Sequence, residues 1–229
     1  MILLKQIYLK LDINILFLII CWSQFNDNNY VYEAKEGVFE DGMENYIEMV
    51  HNNSLLFGLL LFGDNLDNAF SRNAEYLNNL DLDYLYFRTT QEKTNAQNYQ
   101  QMGNLLKENI YYSIAKYTDN SYSIDSAKDF ASSWTTNDTL FDPPTDFDEI
   151  ITRVNRNDRY YQLSSLGHYN DLGFLQTDSN ILSITEIKTQ FGLWAISKSP
   201  LIIQNSLENI CSDVIKILQN EEIIAINQD

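Results

Sequence analysis

The sequence predicts an α/β fold built around a parallel β-sheet. Short, continuous apolar runs alternate along the chain with segments whose apolar residues recur at helical spacing. The runs lack the polar alternation of a half-exposed strand, which is typical of strands buried on both faces of a sheet. Repeated strand and helix units of this kind imply parallel strands joined by right-handed crossovers. A barrel and a doubly wound sheet both fit this pattern.

The first half of the chain carries most of the predicted strands. Four apolar runs predict strands at residues 13–22 (INILFLIICW), 54–62 (SLLFGLLLF), 82–87 (LDYLYF) and 110–115 (IYYSIA). Segments with helical spacing separate them, at residues 41–53, 67–79 and 95–108. Asp41, followed three residues later by Glu44, is the predicted N-cap of the first helix.

The second half continues the alternation. FDEIITRVNR predicts a helix with one apolar face, formed by Phe147, Ile150, Ile151 and Val154. TEIKTQFGLWAISKS predicts another, formed by Ile187, Phe191, Trp194 and Ile196. Pro200 ends that helix, PLIIQ reads as a strand, and a last helix runs from Ile210 through Leu218.

The N-terminal apolar run has two interpretations. Lys5 and Lys10 precede it, as in a signal peptide that would be cleaved near Ser23. The alternative is a buried strand. The run is too short to cross a bilayer as a helix.

Composition excludes several classes of function. The chain has 15 Lys and Arg against 32 Asp and Glu, a formal charge of −17 that repels phosphate backbones and anionic membranes. Cys21 and Cys211, predicted to be buried thiols, and His51 and His168 are too few for a disulfide scaffold or a histidine-rich metal site. His51 is predicted at the surface. The 8 glycines form no phosphate-binding loop, so no cofactor is predicted.

Several stretches, in order, carry a family resemblance. They are FEDGMENYIEMVH, LLFGLLLF, GHYNDLGFL, FGLWAISKSPLII and EEIIAINQD. Together they resemble the barrel of the α-galactosidases of glycoside hydrolase family 27. The resemblance implies a (β/α)8 TIM barrel as a single domain over residues 1–229, and retaining hydrolysis of terminal α-galactosides. It also predicts that the barrel is incomplete, because the family's first strand and its C-terminal β-domain have no counterpart in the sequence.

The resemblance places an arginine at the nucleophile position. The family motif D-Y-L-K-Y-D-N-C falls on residues 83–90, so that the nucleophilic aspartate becomes Arg88 and a sugar-binding lysine becomes Tyr86. A guanidinium stays protonated and has no lone pair with which to attack an anomeric carbon.

The other sugar-contacting positions of the family are also changed. Their carboxylates and tyrosine are replaced by apolar or cationic residues at Ile19, Ile20, Leu60, Phe62 and Lys116. The resemblance further places the two partners of a family disulfide at Thr90 and Ala115, so both are lost together. Asp138 in SSWTTNDT falls near the family's acid/base aspartate and is the candidate for that role; as Asn137-Asp138-Thr139 it also reads as a turn and a glycosylation sequon.

Three functions stay open at this point. The chain is a family member inactivated by Arg88, an active glycosidase with a relocated carboxylate at Asp64 or Asp171, or a non-enzymatic module that binds carbohydrate or protein. Trp22 and Trp134, near predicted strand ends, are the candidates for stacking on a sugar. The expected ligand is an α-galactoside-type carbohydrate, and a partner or second copy is expected to cover the open sheet edges. The family implies a secreted or lysosomal protein, whereas the strand interpretation of the N-terminal run leaves localisation undetermined.

Overall fold

The computed structural model describes residues 16–19, 22–28, 30–35, 37–63, 66, 69–89, 95–115, 124–136, 142–203 and 210–229. The chain divides into two compact units. Of the described residues, 16–133 form the N-terminal unit and 134–229 belong to the C-terminal unit. The expectation of a single domain over residues 1–229 stays a prediction.

A parallel sheet organises the N-terminal unit. Its strands are β1 (Leu16–Ile19), β4 (Leu56–Phe62), β5 (Tyr84–Arg88) and β6 (Tyr111–Ile114), adjacent in that order. All three pairings are parallel. β1, β4 and β6 lie within apolar runs predicted from the sequence, and β5 extends one residue beyond its predicted run, to Arg88. For residues 16–19 the structure has the strand alternative.

Helices connect these strands, as the alternation predicts. They are α1 (Met43–His51), α2 (Phe70–Asn79) and α3 (Asn95–Leu105), and a 3-10 helix spans Ile124–Asp129. The apolar face of α1 is buried through Met43, Ile47 and Val50. The predicted N-cap at Asp41 is wrong, because Gly42 precedes the helix with φ of 88°, a backbone conformation that glycine adopts without steric cost.

An antiparallel hairpin follows β1. Its strands, β2 (Ser23–Asn26) and β3 (Val31–Ala34), pair with each other and form a separate two-stranded sheet. The pairing extends past Ala34, since the Lys35 N–H donates to the Trp22 carbonyl at 2.7 Å. The alternation of strand and helix did not predict this hairpin.

The C-terminal unit contains the remaining elements. β7 (Ser133–Thr135) begins at the last residue of the N-terminal unit, and β8 (Tyr169–Asp171) is its neighbour; the Thr136 N–H donates to the Asp171 carbonyl at 3.0 Å. The helices are α4 (Phe147–Asp158), α5 (Ile184–Ile196), α6 (Ser212–Leu218) and α7 (Glu221–Gln228), with a 3-10 turn at Tyr161–Leu163.

Capping explains where α5 begins. Ser183 accepts the Glu186 N–H, and the Glu186 carboxylate accepts the Ser183 N–H, which completes a capping box. The buried face of α5 contains Ile187, Phe191 and Trp194, as predicted. Ile196, the last residue of α5, is 71% exposed, so its predicted burial is wrong.

Three further expectations are corrected. On α4 the buried positions are Ile150 and Arg153, whereas Ile151 is exposed. Residues 200–203 form one parallel bridge, Leu175 with Ile203, in place of the predicted strand. The predicted last helix corresponds to α6 and ends at Leu218 as predicted, and α7 follows it as an additional helix that was not predicted. Cys211 is exposed, because it precedes α6 as its N-cap instead of entering the core.

His51 also differs from the surface role expected of it. Its side chain is 29% exposed, and its Nε2 is hydrogen-bonded to Asp83 Oδ2 at 2.8 Å. The same Asp83 oxygen accepts the Phe57 N–H at 2.7 Å. The pair therefore connects the end of α1 to the starts of β4 and β5.

Among the described helices, none has the length and apolar character needed to cross a membrane.

Candidate site at the strand ends

The carboxyl ends of β4 and β5 bring Phe62 and Arg88 together. The two residues are Cα partners in the parallel register, so their side chains lie on the same face of the sheet. Phe62 is 38% exposed and Arg88 is half-buried. The Gly63 N–H donates to the Arg88 carbonyl at 2.7 Å, which continues the pairing by one residue. An aromatic residue and an arginine thus lie next to each other at the carboxyl ends of these two strands.

The floor below this pair is filled with apolar and aromatic side chains. Leu60 and Tyr86 are register partners two residues before Phe62 and Arg88, and each is 1% exposed. Ser113, the partner of Tyr86 on β6, is fully buried and accepts a hydrogen bond from Ser133 Oγ at 2.8 Å. Two of the positions that the family resemblance assigns to sugar contacts therefore contribute to packing.

Helix α3 holds the backbone that follows Arg88. Tyr99 is fully buried and packs edge-on against Phe87, with ring centroids 5.6 Å apart. Its hydroxyl accepts the Thr89 N–H at 3.3 Å. Because both neighbours of Arg88 are anchored, the direction in which its side chain leaves the sheet is set by the fold.

Other predicted site positions lie outside the described residues. These are Ile20, Asp64, Thr90, Lys116 and Asp138. Ile19 ends β1 as the partner of Leu59, and Ala115 is buried beside β5, where its N–H donates to the Phe87 carbonyl. The acid/base role of Asp138 stays a prediction.

Both candidate tryptophans are fully buried. Trp22 Nε1 donates to the Leu60 carbonyl at 2.7 Å, and its ring is parallel to that of Tyr76 at 6.5 Å. Trp134 Nε1 donates to Asn170 Oδ1 at 2.7 Å. Each indole thus satisfies its polar group inside the protein. Stacking of a sugar on either ring stays a prediction, and it requires that ring to become exposed.

In the C-terminal unit, Asp171 is a buried carboxylate at the end of β8. It is 2% exposed, and its Oδ1 accepts the Gly173 N–H at 2.7 Å and the more distant Ser199 hydroxyl at 3.5 Å. Burial raises the pKa of Asp171 to about 6, although these two hydrogen bonds and the charge of Arg153 act to lower it. This carboxyl can therefore exchange a proton near neutral pH.

The buried Arg153 was missed by the sequence analysis. It is 2% exposed and donates to the Asp142 carbonyl at 2.7 Å, the Leu172 carbonyl at 3.4 Å and Glu149 Oε1. Burial raises the pKa of Glu149, but hydrogen bonds from Arg153 and Thr145 outweigh it and lower the pKa. The spacing of Glu149 and Arg153, i and i+4 on one helix, is the signal that could have indicated this pair.

The described residues contain no group of three or more His, Cys, Asp or Glu side chains that could hold a metal ion.

Comparison with known proteins decides the family. The family model for alpha galactosidase A, Melibiase_2, matches residues 3–229. This chain belongs to the α-galactosidase family. An α-galactosidase from Saccharomyces paradoxus is 26% identical over 246 residues, which cover 91% of this chain and 52% of that protein. The chain thus spans about half the length of the curated relatives it matches.

Solved structures of α-galactosidases share the fold. The Saccharomyces cerevisiae α-galactosidase with raffinose is 24% identical, with a TM-score of 0.78 over 99% of this chain and 57% of that chain. The α-galactosidase I of Mortierella vinacea is 22% identical, with a TM-score of 0.80 over 93% of this chain and 63% of that chain. The family resemblance and the α/β barrel fold class predicted from the sequence are confirmed.

Proposed function

We propose that this α-galactosidase family member binds carbohydrate without hydrolysing it. The observation that carries the proposal is Arg88, a half-buried arginine at the carboxyl end of β5, at the position where the family resemblance places the nucleophilic aspartate. In a (β/α) barrel this end of the strands is the location of active sites.

The chemistry of retaining hydrolysis opposes an arginine at this position. The reaction needs two carboxyl groups roughly 5 Å apart, one of which attacks the anomeric carbon while positive charge develops on the sugar ring. A guanidinium cannot attack, and at about 5 Å and an effective dielectric constant of about 20 it raises the energy of that charge by about 3 kcal/mol. The repulsion alone slows the reaction about a hundredfold.

The packed floor below Phe62 and Arg88 supports the absence of hydrolysis. Galactoside recognition needs polar groups that pair with the sugar hydroxyls, because an unpaired buried hydroxyl costs about 1–3 kcal/mol. Leu60 and Tyr86 are buried at two of the positions concerned, and Phe62 is apolar at another. A galactoside in the family's binding mode would therefore lose several hydrogen bonds here.

Hydrolysis is tested with p-nitrophenyl α-galactoside at high protein concentration, with the Saccharomyces cerevisiae enzyme as the positive control. We expect no release of p-nitrophenol above a blank that contains the Arg88→Ala variant. Turnover by the unaltered chain that disappears in Asp138→Asn would refute the proposal and assign catalysis to the predicted acid/base residue.

A second candidate function is favoured by Asp171. A carboxyl at a strand end whose pKa is raised to about 6 is suited to general acid–base chemistry. It would make the chain a glycosidase with a relocated carboxylate. The residue is 2% exposed, so a substrate would have to displace the packing above it. Incubation with a 2-fluorogalactoside followed by peptide mapping decides between the two functions, since a labelled Asp or Glu peptide supports catalysis.

The proposal also includes a partner chain that pairs with the edge of the sheet at β1. Within the part of the chain that the structure describes, β1 pairs with β4 on one side only. An unpaired strand edge favours pairing with another chain. We expect light scattering to give a mass above that of the 26.7 kDa monomer, and a monomeric mass at high concentration would remove this part of the proposal.

A further inference from the structure

The hairpin β2–β3 carries a cluster of aromatic rings outside the strand-end pair. Phe25 and Tyr32 are cross-strand partners, with ring centroids 4.9 Å apart and planes inclined by 56°. Tyr30, in the turn, meets Phe25 edge-on at 6.2 Å. We call Phe25, Tyr30 and Tyr32 the hairpin aromatic cluster. The cluster follows β1 in the chain. Because β1 is parallel to β4, the carboxyl end of β1 lies on the same side of the sheet as the carboxyl end of β4, where Phe62 is located.

The cluster is exposed to solvent. Tyr30 is 52% exposed, and Phe25 and Tyr32 are half-buried. An aromatic side chain that serves only the hydrophobic core is buried, as Trp22 and Tyr99 are in this unit. The rings of the cluster therefore present apolar surface for a contact made from outside.

The backbone at Tyr30 is strained. Its φ is 59°, in the left-handed region that bulky residues rarely adopt and that glycine or asparagine adopts readily. The structure nevertheless places a large aromatic residue there and leaves its ring exposed. Strain of this kind persists where the surroundings impose it, and it is concentrated at functional sites.

Buried Asn73 of α2 imposes this conformation. Asn73 is 1% exposed; its Nδ2 donates to the Tyr30 carbonyl at 2.8 Å and its Oδ1 accepts the Tyr32 N–H at 2.9 Å. The Tyr30 N–H donates to the Asn26 carbonyl at 2.8 Å. The turn is thus fixed from both sides, and the ring of Tyr30 is held in one orientation before any ligand arrives.

Polar groups lie beside the rings. Asn26 donates from Nδ2 to the Glu33 carboxylate oxygens at 3.1 and 3.2 Å, across the same hairpin. A pyranose ring has an apolar face of C–H groups and a rim of hydroxyls. Exposed aromatic rings beside amide and carboxylate groups match both features.

From these observations we propose that the hairpin aromatic cluster is a binding surface for a pyranose ring of a neutral saccharide, with the Tyr30 ring stacking on the sugar. The inference rests on the proposed function, binding without hydrolysis, and it assigns that binding to the hairpin in place of the filled strand-end floor. A fixed exposed ring loses little conformational freedom on binding, which is the advantage of the strained turn.

The test compares saccharide binding and thermal stability in the same variants. Raffinose and maltotriose are titrated into the unaltered chain and into Tyr30→Gly, with saturation-transfer NMR as the readout. Glycine relieves the positive φ, so we expect the melting temperature to rise by about 2–4 °C while the affinity falls at least about tenfold. A ring that only stabilised the hairpin would give the opposite stability change.

Two controls separate the alternatives. Tyr161→Ala removes a tyrosine that is 65% exposed in the C-terminal unit, and it should leave binding unchanged. Phe25→Leu keeps apolar volume but removes a second ring of the cluster, and it should also weaken binding. Equal affinity of Tyr30→Gly, Phe25→Leu and the unaltered chain overturns the inference while the proposed function stands. Binding of neither saccharide by the unaltered chain overturns both. Turnover in the p-nitrophenyl assay refutes only the absence of hydrolysis in the proposed function, because saccharide binding by the hairpin is measured separately.

Discussion

Replacing Asp171 by asparagine should stabilise the protein at neutral pH and change little in acid. The carboxyl is buried at the end of β8, with one short hydrogen bond from the Gly173 N–H. Burial disfavours its charged form and raises its pKa from 3.8 to about 6. An asparagine has nearly the same shape, its oxygen can accept the same N–H, and it carries no charge to desolvate.

The magnitude follows from the pKa difference. A pKa raised on folding means that the folded state holds its proton more tightly, so the charged carboxylate destabilises the fold above the unfolded pKa. A difference of about 2 units, at about 1.4 kcal/mol each, amounts to about 3 kcal/mol once the pH exceeds the folded value of about 6. The penalty is absent below 3.8, where both states are protonated.

Urea unfolding measures this directly. The free energy of unfolding is compared for the unaltered chain and Asp171→Asn at about pH 4 and about pH 7.5, and the gain from the substitution should be roughly 2 kcal/mol larger at the higher pH. The matched control is Asp129→Asn, which makes the same chemical change at an exposed position of the 3-10 helix.

The reasoning is refuted if Asp171→Asn has the same effect at both pH values, or if it destabilises more at neutral pH. Either result would mean that Arg153 and the two hydrogen bonds compensate the charge of Asp171 fully.

Three further tests of side-chain packing and pairing use urea unfolding, with five substitutions in all. Arg153→Met should lower the free energy of unfolding by about 3 kcal/mol, because two backbone carbonyls lose a buried donor and Glu149 loses its partner. An unchanged free energy of unfolding would mean that water replaces the guanidinium. Gly63→Ala should destabilise by more than about 1 kcal/mol, since its Cβ would overlap the Phe87 ring, whereas Gly192→Ala, with open space inside α5, should stabilise by about 0.5–1 kcal/mol. His51→Gln and Asp83→Asn should show a coupling of about 0.5 kcal/mol in a double-mutant cycle, and strictly additive effects would contradict the described hydrogen bond.

At the strand-end site, residue patterns predicted which positions lie together but not how deeply each side chain is buried. Arg88 and Phe62 are adjacent because their runs form neighbouring parallel strands, and the apolar runs with the family resemblance predicted both positions. The burial of the two candidate tryptophans was not predictable from the sequence. Trp22 and Trp134 were expected to face a sugar, but each is fully buried, because the Leu60 carbonyl and Asn170 accept their indole N–H groups.

The sequence by itself determined the alternation of buried strands and amphipathic helices, the family, and the absence of a carboxylate at residue 88. These features are local or depend on an ordered series of motifs, so one chain is enough to see them. Only the tertiary structure decided that Arg153 is buried, that the pKa of Asp171 is raised, and that Asn73 holds Tyr30 in a left-handed turn. Each of these includes contacts with residues distant along the chain. Leu172 is 19 residues from Arg153, Ser199 is 28 residues from Asp171 and Asn73 is 43 residues from Tyr30, and the local spacing of residues does not specify such contacts.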